Sequence, residues 1–503
     1  MMDLLSNLAL GFGVAVTPVN LFYCLLGVTL GTMIGILPGI GPSATVALLL
    51  PITYTMPDTA ALIMLAGIFY GAQYGGSTTA ILVNLPGESS SVVTCLDGYA
   101  MARQGRAGIA LATAALGSFF AGTVATVLIV VVAKPLSAVA LAFGPADYFS
   151  LVIFGLLFAV LLSSGSPVKA VGMVALGIGL SLIGIDPTSG EQRFTFGFPE
   201  LFDGIDFVVL AIGLLGVSEI LINLQQGVER DGGAVKTGSL MPSRQDFKQA
   251  FPAVLRGTAL GSFLGVLPGG GAIMSSFASY ALERKIAKDP SRFGKGAIEG
   301  LAGPESANNA GAQTSFIPLL TLGIPANGLM ALMVGAMMIQ GITPGPEVMQ
   351  SRPDLFWGLI ASMWVGNLLL LVLNLPLIGI WVRLLGIPYR FLCPAILMFC
   401  AVGAYGLSYS FVDVLFCGLF GLVGFFLRKI GCEPAPLVLG FVLGPLLEQN
   451  MRLSLLISQG DFSTFLTHPI SATLLALSAI VVTMMAVPAI MRRREVVFQG
   501  DDD

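Results

Sequence analysis

Eleven uncharged hydrogen-bonding side chains stand in otherwise apolar sequence, each within a few residues of a glycine or proline: Ser43, Ser77, Thr78, Thr79, Asn84, Ser89, Asn308, Asn309, Gln313, Thr314 and Asn327. Such residues donate and accept hydrogen bonds without carrying charge. Beside a helix break they add to backbone N–H and C=O groups that the break itself frees, so N-terminal ends attract anions and carbonyl ends coordinate cations. This chemistry binds ions and does not make or break bonds. Glu88 and Glu305 are the acidic residues closest to these stretches, and each reads either as a proton or sodium site at membrane depth or as a group at a solvated mouth. For a single Ser or Thr, bonding back to its own helix is the commoner role. Clusters flanking duplicated breaks favour binding.

Enzyme chemistry finds no footing. The chain has no HExxH pair, no Cys/His cluster and no GxxxxGK[ST] loop, and its single histidine, His468, precedes Pro469 in a short polar stretch. Neither a catalytic set nor a metal site nor a cofactor is expected. Six cysteines show no disulfide or metal spacing.

The polar residues must be positioned by an internal repeat. Gly27 to Gly41 reads GVTLGTMIGILPGIG and Gly257 to Gly271 reads GTALGSFLGVLPGGG, with 8 of 15 positions identical. Each copy precedes a second interrupted stretch, Tyr74 to Ser89 (YGGSTTAILVNLPGES) and Asn308 to Gly328 (NNAGAQTSFIPLLTLGIPANG). Aligning Pro86 with Pro325 requires an insertion in the second half, which the polar stretch Lys285 to Lys295 supplies. Proline removes a backbone donor and glycine permits a turn, so the helices must break inside apolar sequence. Paired interruptions in corresponding halves point to the binding site of a secondary transporter. On this basis Pro38, Gly39, Gly41, Ser43, Gly75, Gly76, Ser77, Thr78, Thr79, Pro268, Gly269, Gly270, Asn308, Asn309, Gln313 and Thr314 are assigned to substrate binding. Asn84, Pro86, Gly87, Glu88, Gly323, Pro325 and Asn327 are assigned to cation coupling.

With 55% hydrophobic and 10% charged residues and a mean hydropathy of +0.89, the 503-residue chain is a polytopic all-α membrane protein. Its net charge of -4 gives no reason to expect a nucleic-acid partner. The first basic residue is Arg103, so the first segment lacks the basic region of a cleaved signal and is expected to stay. The first repeat is expected over 1–229, with a re-entrant hairpin at 27–51, a broken helix at 60–89 and spans near 108–133, 147–164, 168–185 and 206–226. A cytoplasmic linker follows at 230–250. The second repeat, 251–494, carries a hairpin at 257–283, a broken segment at 298–340 and spans near 357–382, 390–407, 411–427, 433–457 and 470–490; a polar tail, 495–503, ends the chain. From Gly27, each arm of the first hairpin looks too short to cross about 30 Å of hydrocarbon at about 1.5 Å per residue. Arg492, Arg493 and Arg494 place the C-terminus inside, and counting back puts most other basic loops inside too. Five crossings then separate the two hairpins, so the repeats are expected to be inverted.

At four runs the sequence resembles the large membrane subunit of the bacterial tripartite tricarboxylate transporters: GxLPGxGP at Gly35 to Pro42, YGGSTTAILxNxPGE at Tyr74 to Glu88, DGYxMAxxGxAGxAL at Asp97 to Leu111, and NNAxAxxxxxPLLTLGIP at Asn308 to Pro325. The resemblance implies an inner-membrane subunit of about twelve membrane segments with an elevator-type architecture. It further implies a small four-helix membrane subunit and a periplasmic solute-binding protein as partners, beside membrane lipid, and is compatible with a homo-oligomer. The implied substrates are citrate-like organic carboxylates, coupled to Na+ or H+. Gln313-Thr314-Ser315 and Ala326-Asn327 stand where the family pattern has smaller residues. The alternatives are the large subunit of another binding-protein-dependent carboxylate transporter, and an ion channel, since glycine-rich breaks also build selectivity filters.

Overall fold

The computed structural model describes residues 2–37, 41–162, 166–186, 189–226, 238–384 and 389–486. It is a bundle of helices with one two-stranded antiparallel ribbon, Gly184–Ile185 with Gln192–Arg193. In chain order the first half contains α1 (Met2–Ala15), α2 (Pro18–Ile36), α3 (Pro42–Thr53), α4 (Asp58–Val83), the short α5 (Val92–Thr94), α6 (Ala107–Ala140), α7 (Pro145–Leu162) and α8 (Pro167–Ser181). It ends with α9 (Phe207–Ala211), which continues through a π-turn at Ile212–Val217 into α10 (Ser218–Gln226). The second half opens with α11 (Arg244–Val266), α12 (Gly271–Ile286), α13 (Ile298–Thr314), α14 (Phe316–Leu322) and α15 (Gly328–Ile339). It continues through α16 (Val348–Ser351), α17 (Pro353–Asn374), α18 (Ile378–Leu384), α19 (Tyr389–Ser408), α20 (Phe411–Lys429), α21 (Pro434–Ile457), α22 (Thr464–Thr467) and α23 (Pro469–Ala486). Among the described residues, six helices are long and apolar enough to cross a membrane.

Two helices occupy the centre. Every residue of α4 from Thr59 to Leu82 is buried, as is every residue of α13 except Glu299. Polar α13 is thus enclosed by protein, the setting in which hydroxyls, amides and a carboxylate can lie within a membrane domain.

The sequence repeat explains how these helices are gripped. A β-carbon placed on Gly27, Gly31 or Gly35 would lie 2.3, 2.4 or 2.3 Å from the carbonyl oxygens of Met64, Ile68 and Ala72. The corresponding glycines of α11, Gly257, Gly261 and Gly265, would meet the carbonyl oxygens of Gly303, Ala307 and Gly311 at 2.2, 2.2 and 2.4 Å. Glycine at every fourth position forms a flat strip along one helix face, and only such a strip lets two backbones come this close. The pairs 64 and 303, 68 and 307, and 72 and 311 are each 239 residues apart, as are Pro86 and Pro325, whereas the glycines are 230 apart. The extra residues therefore lie between α11 and α13, where the polar loop was expected.

Several boundaries differ from the sequence reading. The first arm of the 27–51 hairpin begins at Pro18 and that of the 257–283 hairpin at Arg244, giving helices of 19 and 23 residues, each long enough to span. Proline at the first helical position and the Ser243/Asp246 capping box set these early starts. The second arms are shorter, at 12 and 16 residues. Whereas α12 lies along α11 and α13, α3 parts from most of α2 and packs on α4, α15, α19 and the π-turn. The 60–89 segment is unbroken through Gly75 and Gly76. Those residues serve close approach, since a β-carbon on Gly75 would lie 2.2 Å from the Thr32 oxygen and one on Gly76 2.7 Å from Glu88 Cγ. The 298–340 segment is three helices, with a turn at Ser315 and a break at Gly323–Asn327. Helices α6 to α10, α17, α19 to α21 and α23 lie within a few residues of the remaining expected spans, except at the C-terminal ends of α6 and α17.

Candidate functional site

Both breaks have the same backbone. Asn84 ends α4 with φ 58 and Gly323 ends α14 with φ 73, both left-handed, and they are 239 positions apart. Four residues later Glu88 (φ -150, ψ 166) and Asn327 (φ -155, ψ 175) are both extended and cap the next helical turn. Asn327 Oδ1 accepts from Met330 N at 3.0 Å; Glu88 caps Ser89–Ser91 in a capping box. A helix N-terminus with its side-chain cap is thus presented at equivalent places in both halves.

Each break also meets its own hairpin, the first at the end of α2 and the second at the turn between α11 and α12. Thr79 Oγ1 donates to the Ile36 oxygen at 2.9 Å, where α2 ends, and Gly87 packs on Gly35. In the second half Gly269 N donates to the Ala326 oxygen at 2.6 Å, and Asn327 Nδ2 to Ser315 Oγ at 3.4 Å. Gly269 has φ 76 and Gly271 φ 47, conformations that glycine adopts at least cost.

Between α4 and α13 lies a polar cluster. Glu305 is 1% exposed; Ser77 Oγ donates to its Oε2 at 2.5 Å and Thr94 Oγ1 to its Oε1. One turn further along α13, Asn308 Nδ2 donates to Glu88 Oε1 at 3.4 Å, and Asn309 Nδ2 donates to Ser118 Oγ of α6 at 2.7 Å. Ser90 Oγ contacts both Glu88 Oε1 and Gln73 Oε1. Beside the cluster is a small cavity lined by Tyr74, Ser77, Thr78, Ser118, Asn374 and three apolar residues. The sequence has no Lys or Arg between Gly27 and Ala102 or between Gly296 and Ser351, so the cluster holds two carboxylates without a basic residue from either segment.

The assigned residues divide accordingly. Ser77, Asn308, Asn309 and Glu88 come together around Glu305, while Thr79 and Gly87 lie against the end of α2, and Gly269 lies against the Pro325–Asn327 break with Pro268 and Gly270 beside it in the turn between α11 and α12. Thr78 and Thr314 bond back to the carbonyls of Tyr74 and Ala310, the commonplace role of an intrahelical Thr. Gln313 is buried with its Oε1 unpartnered among the described residues. Asn84 is exposed, Gly41 precedes α3, and Ser43 is half-buried in its first turn. Pro38 and Gly39 lie outside the described residues, as do Arg230, Lys236 and Arg492 to Arg494, on which part of the orientation count rests.

Gln73, Ser90, Thr94 and Ser118 belong to the cluster without having been assigned to it. The run Ser89-Ser90-Ser91 directly after Pro86-Gly87-Glu88 carried a usable signal; Ser118, alone in an Ala/Gly stretch, carried none. Asp97, buried in the DGY run, accepts from Gly296 N and Ala297 N at 2.8 Å each. It thereby caps the start of α13 and sets the position of Glu305 two turns on.

Comparison with known proteins gives the family. The model of the Tripartite tricarboxylate transporter TctA family matches residues 21–439. An uncharacterized 52.8 kDa protein in the TAR-I ttuC' 3'region of Agrobacterium vitis is 59% identical over 502 residues, 100% of both chains. An uncharacterized protein in the TAR-II ttuC' 3'region of the same organism is 59% identical over 242 residues, 48% of this chain and 100% of its own length. No solved structure matches. The matched residues include both glycine strips, both breaks and the Glu305 cluster, and the chain belongs to the tripartite tricarboxylate transporter TctA family as a multi-pass membrane protein.

Proposed function

We propose that this chain is the transporting subunit of a secondary active system that imports a citrate-like di- or tricarboxylate across the bacterial inner membrane. A periplasmic solute-binding protein delivers the substrate, and a small four-helix membrane subunit completes the complex. Uptake is coupled to Na+ or H+. The observation that carries this reading is the duplicated break: two capped helix starts, each against its own hairpin, with uncharged donors around them. Helix N-termini and amides suit carboxylate oxygens, and free carbonyl ends suit a cation.

In this reading the repeats are inverted, the C-terminus is cytoplasmic and the two hairpins move against the remaining helices as an elevator. Single cysteines introduced at Tyr54 and Arg284, in a background without the native cysteines, test the inversion. Both positions are exposed, at the ends of α3 and α12. Tyr54→Cys is expected to label from the periplasm and Arg284→Cys from the cytoplasm. Labelling of both from one face would contradict inversion.

A further inference from the structure

The Glu305 cluster is short of protons. A serine hydroxyl has one hydrogen to donate. Ser77 Oγ faces two acceptors, Glu305 Oε2 at 2.5 Å and the Gln73 backbone oxygen at 2.9 Å. Ser90 Oγ likewise faces Glu88 Oε1 and Gln73 Oε1. Turning the Gln73 amide over would relieve Ser90. It would do nothing for Ser77, whose second acceptor is a main-chain carbonyl. A proton on Glu305 Oε2 resolves the count, because the carboxyl then donates to Ser77 Oγ and the Ser77 hydrogen goes to Gln73.

Two further buried acceptors beside the cluster lack a donor among the described residues. Asn308 Oδ1 is fully buried, with its amide nitrogen on Glu88, and has no donor among the described residues. Asn374 Oδ1, 2% exposed in a residue lining the same cavity as Ser77, has none either. A buried acceptor without a donor is costly, and the proton at Glu305 Oε2, given to Ser77, leaves these two unchanged.

The groups around Glu305 supply no positive charge of their own. Tyr74 faces it from α4, Glu88 and Cys95 from the segment after the first break, and Ser118 from α6. None is basic. On α12, Glu283 lies against Gly303, two residues and so about 200° around α13 from Glu305, and is paired with Arg256 of α11.

We propose that Glu305 is the proton-carrying group of this transporter, protonated in the state seen here and hydrogen-bonded through Ser77 to Gln73. The coupling role rests on the carboxylate-transport reading above. One O–H bond forms at Glu305 with a proton taken from the outer solution, and the same bond breaks when the proton is released to the inner one.

Infrared difference spectroscopy of the purified full chain reads the proton without any transport. The protonated-carboxyl C=O band at neutral pH is expected to vanish in Glu305→Gln, which is isosteric with the acid, and to shift in frequency in Glu305→Asp. An unchanged band in either variant would overturn the assignment. In proteoliposomes with the small subunit and binding protein, an alkaline interior is expected to drive citrate accumulation by the wild type. Glu305→Gln is expected to lose that accumulation, its residual flux becoming independent of the imposed pH difference. Wild-type-like accumulation by Glu305→Gln would also overturn the proposal. If the band depends on Glu305 but neither form moves citrate, the proton site stands and the carboxylate-transport reading alone fails.

Discussion

Valine in place of Gly31 or Gly261 is expected to abolish the folded protein. At Gly261 even a single added carbon would lie 2.2 Å from the Ala307 oxygen and 2.7 Å from its α-carbon; at Gly31 the corresponding atoms of Ile68 are at 2.4 and 2.8 Å. Both obstacles are backbone inside buried helices, so no side chain can turn aside. Overpacking an ordinary core costs about 1–3 kcal/mol. Here two whole helices must separate, breaking contacts along the full glycine strip, so the cost exceeds that range. Size-exclusion profiles and thermal unfolding in detergent are the measurement, with Gly179→Ala as control because a β-carbon there meets nothing within 4 Å. A wild-type profile for either valine variant would show that the helices are not gripped as described.

Arg256→Ala is expected to destabilise the second hairpin by about 3 kcal/mol, the low end of the range for breaking a buried ion pair. Arg256 Nε and Nη2 donate to Glu283 Oε1 and Oε2 at 2.8 and 2.6 Å, tying α11 to α12. The Glu283 side chain is 2% exposed and the Arg256 side chain 40%, so water softens the loss on one side only. Removing the guanidinium leaves a buried carboxylate unpaired. Arg256→Ala with Glu283→Gln should regain most of the stability in thermal unfolding, because the orphaned charge is gone. A double variant no better than Arg256→Ala would mean that packing, rather than charge, holds the arms. The first hairpin lacks this clamp: the repeat places Leu26 and Thr53 at the equivalent positions. In the half without the clamp α3 parts from most of α2, and in the half with it α12 stays beside α11.

The pattern of glycines and prolines made the two breaks, the insertion and most of the spans legible before any coordinates, because these residues act through the backbone, whose rules are local. The same rules could not separate a glycine that turns the chain from one that admits a neighbour. Gly75 and Gly76 looked like a break and are a contact, whereas Asn84, eight residues on, is the break. Helix starts at Pro18 and Arg244 were hidden because the repeat begins nine and thirteen residues later, and similarity between halves says nothing about unshared ends. Glu88 and Glu305 were visible as acids near breaks, but their convergence depends on α13 crossing α4, a contact between residues more than two hundred positions apart. Asp97 could be seen only as part of a family motif; its bonds to Gly296 and Ala297 needed the fold.

Under the proposed function, coupling to a cation follows from charge. A di- or trivalent carboxylate entering a site with two acidic side chains and no base in either flanking segment would leave uncompensated negative charge in a low-dielectric space. Helix N-termini each supply about half a charge, too little to neutralise two or three. Citrate uptake into proteoliposomes containing this chain, the small subunit and the binding protein, with Na+ and pH gradients imposed separately and together, is the direct measurement. Accumulation above the external concentration, driven by at least one gradient, is the predicted result. Uptake that ignores both gradients, with citrate affinity independent of Na+ and pH, would contradict it and favour a channel.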